Sequence, residues 1–345
     1  MKLLILLFGL ALAAAPPAFA AQNPDEKKLQ ILTTTTDLRA IAAEVGGDRV
    51  EAKSLMKGPE DPHFLDAKPN FITLANRADL FIKIGMSLEA GYESIIIGES
   101  RNKKIQTGAP GYLDASITIE KLEIPTGPVD RSHGDVHQDG NPHYLLDPLN
   151  AKKVAGAIRD SLVKTSPQYK SELEDRCKQF CRKMDESMFG KKILERFSAD
   201  TLGELLANGK LAAFVKDRKA EADLGGWAAE MLPFSGKPVA VYHKNLTYFA
   251  HRFHLEEAVT LEQKPGVRPS SSYLINVIET IKNQKIKAVF YTSFQSVKAV
   301  EKVCEETGAA KVLYPHQVGA IDDTGDYIKM IDRLVKLSSA ALART

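Results

Sequence analysis

The sequence predicts an α/β protein of two lobes, each a parallel sheet with surrounding helices, joined by one long linker helix. Three observations carry this. Short β-branched runs alternate with amphipathic stretches in two separate blocks, one from Leu29 to about residue 96 and one from Pro238 to the C-terminus. Strands alternating with helices at this spacing are the mark of a parallel sheet. Between the blocks, a heavily charged helical stretch follows Ser166-Pro167 and carries only a thin apolar stripe, as a connecting strut would. Finally, 345 residues suffice for two domains of ordinary size.

The first block reads as a strand over Leu29–Thr34, a helix opened by Asp37-Leu38 and closed by Gly46-Gly47, and a second strand from Val50 to Met56. A helix over Asn70–Ala78 puts Phe71, Leu74 and Ala75 on one face, Leu80–Ile84 is a strand, and a helix is expected around Leu88–Ile96. From Pro148 the pattern is helical to Val163. Ser166 as N-cap with Pro167 at the first helical position then starts the strut, which runs to roughly Phe189 or beyond and carries little apolar stripe except Leu173, Cys177, Phe180, Cys181, Met184 and Met188. Residues 190–236 are helical without a strand. The second block repeats the first in outline: strands over Pro238–Tyr242, Val259–Leu261, Ala288–Tyr291 and Lys311–Leu313 alternate with helices, the last over Tyr327–Ala341.

The ends and the composition narrow the class. Met1-Lys2, an apolar run from Leu3 to Ala15 and Ala18-Phe19-Ala20 form a secretory signal peptide over residues 1–20. The mature chain is therefore expected in the periplasm, with an N-terminal lobe at 21–165, the linker helix at 166–190 and a C-terminal lobe at 191–345. Lys and Arg number 46 against 44 Asp and Glu, so no strong field points to nucleic acid or an anionic membrane. Three cysteines are not a disulfide framework.

Histidines carry the chemistry. His63 sits in the proline-braced turn Glu60-Asp61-Pro62-His63-Phe64, and His143, His243 and His316 fall at similar strand ends or loops, each beside an aromatic residue. In parallel α/β sheets the ligand crevice lies at the carboxyl ends of the strands. Four imidazoles converging there would make a closed metal site in the interlobe cleft, with no open position for an activated water and hence a poor catalyst. No nucleophile elbow, P-loop or dinucleotide fingerprint is present. A secreted zinc hydrolase with Glu60 or Asp61 as base, and an adhesin stabilised by metal, are the alternatives to a carrier.

The segments Leu32-Thr33-Thr34-Thr35-Thr36-Asp37-Leu38, Asp61-Pro62-His63, Asn141-Pro142-His143-Tyr144 with Asp147-Pro148, and Tyr242-His243 with Tyr248-Phe249 resemble the zinc/manganese class of ABC-transporter substrate-binding proteins. The resemblance runs from about Leu29 to the C-terminus. It implies that His63, His143 and His243 ligate one divalent metal ion, which an inner-membrane ABC permease then receives from a monomeric carrier. The family's fourth ligand is usually an aspartate, and His316 stands at the matching place here, with Asp322, Asp323 and Asp326 nearby. Imidazole in place of a carboxylate favours Zn2+ over manganese, with copper and nickel as competitors. His133 and His137 resemble a short version of the histidine-rich loop of some members and could form a weak auxiliary collecting site with Asp130, Asp135 and Asp139; a solvated polar loop is the alternative reading.

Overall fold

Residues 27–129 and 134–344 are described by the structure, a computed structural model; the expected signal peptide and His133 lie outside them. The first half opens with β1 (Leu29–Thr33), whose Ile31, Leu32 and Thr33 are all buried, as befits a strand covered on both faces. Helix α1 (Thr36–Gly46) buries Leu38, Ile41, Ala42 and Val45, one stripe at helical spacing. It stops at Gly47, with φ +52°, where an added Cβ would run into the Arg176 guanidinium 2.1 Å away. Then come β2 (Val50–Ser54), α2 (Pro69–Arg77) with its proline at the first helical position, β3 (Leu80–Lys83), α3 (Glu93–Ser100) and β4 (Tyr112–Asp114). All neighbours pair in parallel, in the order β2-β1-β3-β4.

Helix α3 begins at Glu93, five residues later than the apolar pattern suggests. Met86 and Ser87 take positive φ angles of 51° and 64°, and the Glu89 carboxylate accepts the Ile84 and Gly85 N–H groups at 2.7 and 3.0 Å. That carboxylate fixes residues 84–89 as a turn before a helix can start.

Two long helices follow, α4 (Pro148–Thr165) and α5 (Lys170–Phe189). Asp147 caps α4 by accepting the Leu149 N–H at 2.9 Å. Helix α5 is the expected strut, but Pro167–Tyr169 form a separate 3-10 turn ahead of it. Ser166 lies at φ −146° and ψ 69°, outside the extended conformation a capping serine needs, and its side chain makes no cap bond. Short helices α6 (Lys191–Leu194), α7 (Ala199–Ala207), α8 (Leu211–Asp217) and α9 (Gly226–Met231) lead to the second sheet. That half contains β5 (Pro238–Val241), α10 (Thr247–Phe253), β6 (Glu256–Thr260), α11 (Ser271–Gln284), β7 (Ala288–Tyr291), α12 (Val297–Thr307), β8 (Ala310–Leu313) and α13 (Tyr327–Leu342). Its strands are again all parallel, in the equivalent order β6-β5-β7-β8.

The halves are joined by more than a linker. One apolar cluster runs from Ile31 to Leu342 and takes in Leu173, Cys177, Phe180, Met184 and Met188 of α5, which packs against α1, α4, α7 and α9. Arg252 of α10 grips Asp147 through Nε and a terminal nitrogen at 2.9 and 2.7 Å, with both side chains nearly buried. Removing one partner of such a buried pair costs about 3–5 kcal/mol.

A third tie crosses at Asp37, which accepts the Val318 N–H at 2.7 Å, while Thr36 donates to the Val318 carbonyl at 2.7 Å. Burial pushes the Asp37 carboxyl up to about 7 from its usual 3.8. Its folded pKa is raised, so its contribution to stability is complete below about pH 4 and is lost as pH rises through 7. The stability of the wild type relative to Asp37→Asn is therefore expected to fall between pH 5 and pH 8. Denaturant midpoints of both proteins at the two pH values measure this; a gap that does not change with pH contradicts it.

Candidate metal centre

His63 and His143 are presented by the same local device. In Asp61-Pro62-His63, the Asp61 Oδ1 accepts the His63 backbone N–H at 3.0 Å. In Asn141-Pro142-His143, the Asn141 Oδ1 accepts the His143 N–H at 3.0 Å. An Asx side chain closing a turn two residues on, with proline fixing the backbone between, sets the direction of each imidazole. Asn141 also donates to the Lys244 carbonyl at 2.7 Å, which ties the His143 turn to the residue after His243. His243 itself follows β5 directly, in the crevice beyond the strand ends.

These three rings converge. Centroids lie 5.2 Å apart for His63 and His143, 5.4 Å for His63 and His243, and 5.9 Å for His143 and His243. One ligand nitrogen from each lies within 4.8 Å of the other two. A tetrahedral ion with bonds of about 2.0–2.1 Å needs nitrogens about 3.3 Å apart, a spacing that small ring rotations would give the trio.

Their electrostatics suit a divalent cation. His63 Nδ1 is 2.8 Å from Asp61 Oδ1, and His243 Nδ1 is 2.8 Å from Glu262 Oε2. Glu262 is held in turn by the Gly266 N–H at 2.9 Å. A carboxylate on Nδ1 keeps the proton there, leaves the Nε2 lone pair for a metal and raises its basicity. The Nε2 atoms of His63 and His143 are buried with no hydrogen-bond partner among the described residues. Leaving a buried polar atom unpaired costs about 1–3 kcal/mol, and a bound ion would satisfy both. Burial, reinforced by His63 and His243, holds the His143 pKa well below its ordinary value, so the ring is neutral and ready to ligate.

His316 is not in this group. Its Nε2 lies 3.1 Å from the Glu60 carbonyl, Phe294 meets the ring edge-on at 4.8 Å, and Nδ1 is buried without a partner among the described residues. Neither do Asp322, Asp323 and Asp326 join the group; Asp326 instead caps α13 on the Lys329 N–H at 2.8 Å. By contrast His137, expected in an auxiliary loop site, stacks on His63 at 5.3 Å with 25° between the planes. Burial and the neighbouring His63 and His243 push its pKa down to about 3.

Other residues separate from the site. Phe64 is 66% exposed and forms no wall around His63, whereas the Tyr144 hydroxyl is buried and donates to the Ile84 carbonyl at 2.7 Å. Cys177 and Cys181 are free thiols on α5 and belong to no metal-ligating group among the described residues. His254 packs at the end of α10, with Nε2 2.6 Å from the Leu206 carbonyl. Glu262 was missed in the sequence: nothing marks a lone acidic residue after a strand as the partner of a histidine 19 positions earlier.

Comparison with known proteins agrees with this architecture. The zinc-binding lipoprotein AdcA of Streptococcus pneumoniae is 22% identical over 345 residues, covering 97% of this chain, which spans only 60% of the AdcA length. The iron-binding protein YfeA of Yersinia pestis is 25% identical, covering 92% of this chain and 88% of its own. The high-affinity zinc uptake protein ZnuA of Yersinia pestis is 22% identical, with 88% of each covered. A crystal structure of a ZnuA superposes with a TM-score of 0.68 at 19% identity over 92% of this chain and all of that one, which establishes the two-lobed fold. The family described as zinc-uptake complex component A, periplasmic, matches residues 31–191 and 218–340, and this chain belongs to that family.

Proposed function

We propose that this protein is an extracytoplasmic carrier that captures a divalent metal ion, zinc above others, on His63, His143 and His243 and hands it to an ABC permease. The observation that carries this reading is the pair of buried, unpartnered Nε2 atoms on rings that the backbone has already aimed at each other. Its relatives are named as binding proteins for zinc, iron and manganese, and none of those names describes an enzyme.

The donor set favours zinc. The converging ligands are all imidazoles, while Asp61 and Glu262 stand one ring away, each on an Nδ1. Their two negative charges balance the ion's two positive ones without touching it. Manganese prefers carboxylate, carbonyl and water oxygens, whereas imidazole suits zinc, with copper as the stronger chemical competitor. Rings already held by Asx turns lose little entropy on binding, which supports high affinity.

Competition titration of metal-stripped mature protein with zinc and manganese tests this. One tight equivalent of zinc that manganese fails to displace is the expected result. Tighter manganese binding would show that oxygen ligands dominate the site and would overturn the zinc assignment.

A further inference from the structure

We propose that Cys177 and Cys181, one turn apart on α5, form a second metal site: a two-thiolate clamp for a soft monovalent ion, copper(I) by its chemistry, separate from the histidine centre. Cys177 is buried in the apolar cluster, and Cys181 packs partly exposed against the same cluster. The sulfurs meet, with the Cys181 S–H donating to the Cys177 sulfur. Cys181 also lines a cavity of about 460 Å³ walled by α5, α6 and the first residue of α7. An ion entering that cavity reaches Cys181 first and Cys177 behind it.

The helix keeps the pair from oxidising onto itself. Residues four apart on a helix have Cβ atoms about 5–6 Å apart, whereas a disulfide needs about 3.8 Å. Helix α5 runs unbroken from Lys170 to Phe189, and Leu173, Met184 and Met188 on it are fully buried. Closing the bridge would unwind a turn that this packing holds. Two sulfurs at such a spacing instead have room for one ion between them.

The surroundings select the class of ion. No group of three metal-ligating side chains among the described residues includes either thiol. Zinc sites take four ligands, so two sulfurs hold zinc poorly. Thiolates are soft and select copper(I), which is content with two donors. Two carboxylates on the cavity wall are already engaged, Asp185 by Lys152 at 2.6 Å and Glu186 by Arg182 at 2.9 Å, which leaves them poor ligands for a hard cation.

Charge fits as well. Two thiolates around a monovalent cation leave one net negative charge, and the Arg159 guanidinium, which hydrogen-bonds Cys177, offsets it. Donation from Cys181, and then Arg159, pulls the Cys177 pKa below its ordinary value, so this sulfur is readily ionised. The Cys181 thiol is held up by that same hydrogen bond and by burial, and it releases its proton to water as the ion binds.

The test offers copper(I), without oxygen and as its bicinchoninate complex, to wild type, Cys177→Ala, Cys181→Ser and His143→Ala, each with and without zinc. Wild type is expected to withdraw one equivalent of copper(I) and to keep its zinc. Both cysteine variants should hold copper(I) about tenfold or more weaker, since even outer partners of ligands matter on that scale. Their metal-free melting temperatures report folding, and Cys181→Ser, outside the fully buried core, is the decisive variant. His143→Ala should take copper(I) like wild type. Wild type that leaves the copper with bicinchoninate overturns the proposal, as do a Cys181→Ser protein that withdraws it like wild type and a His143→Ala protein that does not. Copper(I) uptake by a wild type that binds no zinc would uphold this site and overturn the zinc-capture reading instead.

Discussion

His143→Ala is expected to weaken zinc binding at least a hundredfold while leaving the fold intact. Substituting the outer partner of a metal ligand already costs about 10–100-fold, and in the proposed site His143 is a ligand itself. A hundredfold loss is about 2.8 kcal/mol. The variant should fold because the lost ring is an unpaired buried group, and the Asn141 turn, the 3-10 turn at Tyr144–Leu146 and the Tyr144 bond to Ile84 make no use of it. Two readouts separate binding from folding. Calorimetry should show the loss of the tight zinc equivalent, and the metal-free melting temperature should stay close to wild type. Zinc at a hundred times its Kd stabilises the wild type by about 2.7 kcal/mol, and at the same concentration that rise should fall to about 0.4 kcal/mol or less in the variant. A variant that still gains wild-type stability from zinc would place the ion elsewhere.

The second large effect concerns a residue outside the proposed ligand set. Glu262→Gln is expected to cost about 10–100-fold in zinc affinity with the stoichiometry unchanged. The carboxylate lies 2.8 Å from the His243 Nδ1 and would supply one of the two negative charges facing an ion bound at the proposed site. The amide keeps the size and a hydrogen bond to the Gly266 N–H, but it removes the charge and the strong acceptor. Asp61 plays the matching role for His63, yet it also accepts that residue's backbone N–H, so its substitution would disturb the turn itself. Glu262 is therefore the cleaner probe. Equal zinc affinity in the Gln variant and wild type, measured by chelator competition, would mean that His243 needs no charged partner.

Periodicity alone located most of the fold. Buried parallel strands are short apolar runs, and those at Leu29, Leu80, Pro238 and Ala288 stand out against charged helices. Where side chains compete with the backbone, the pattern misled. Glu89 bonds two amides and delays α3 to Glu93, and an ill-oriented Ser166 splits the strut at Pro167–Tyr169.

The site divides in the same way. His63 and His143 were singled out by their proline-braced turns and by the Asp-Pro-His and Asn-Pro-His segments of the resemblance; the Asx bonds that aim the rings are visible only in the structure. His243 followed from its place at a strand end. The expectation for His137 rested on a resemblance to a histidine-rich loop with aspartates nearby, which says nothing of where the loop lands. Its stacking on His63 depends on contacts with Ser87 and Pro265, about 50 residues back and more than 120 ahead. His316 shares the proline-braced look of the others, but the carbonyl it meets belongs to a residue 256 positions away.

The most direct test of the central claim is zinc X-ray absorption on stripped wild-type protein loaded with one equivalent. Imidazole ligation by His63, His143 and His243 predicts a shell of nitrogens at about 2.0–2.1 Å with outer scattering from at least three rings. A sulfur shell at about 2.3 Å would place the ion on the cysteines of α5, and a shell without imidazole scattering would remove the histidine cluster from the account.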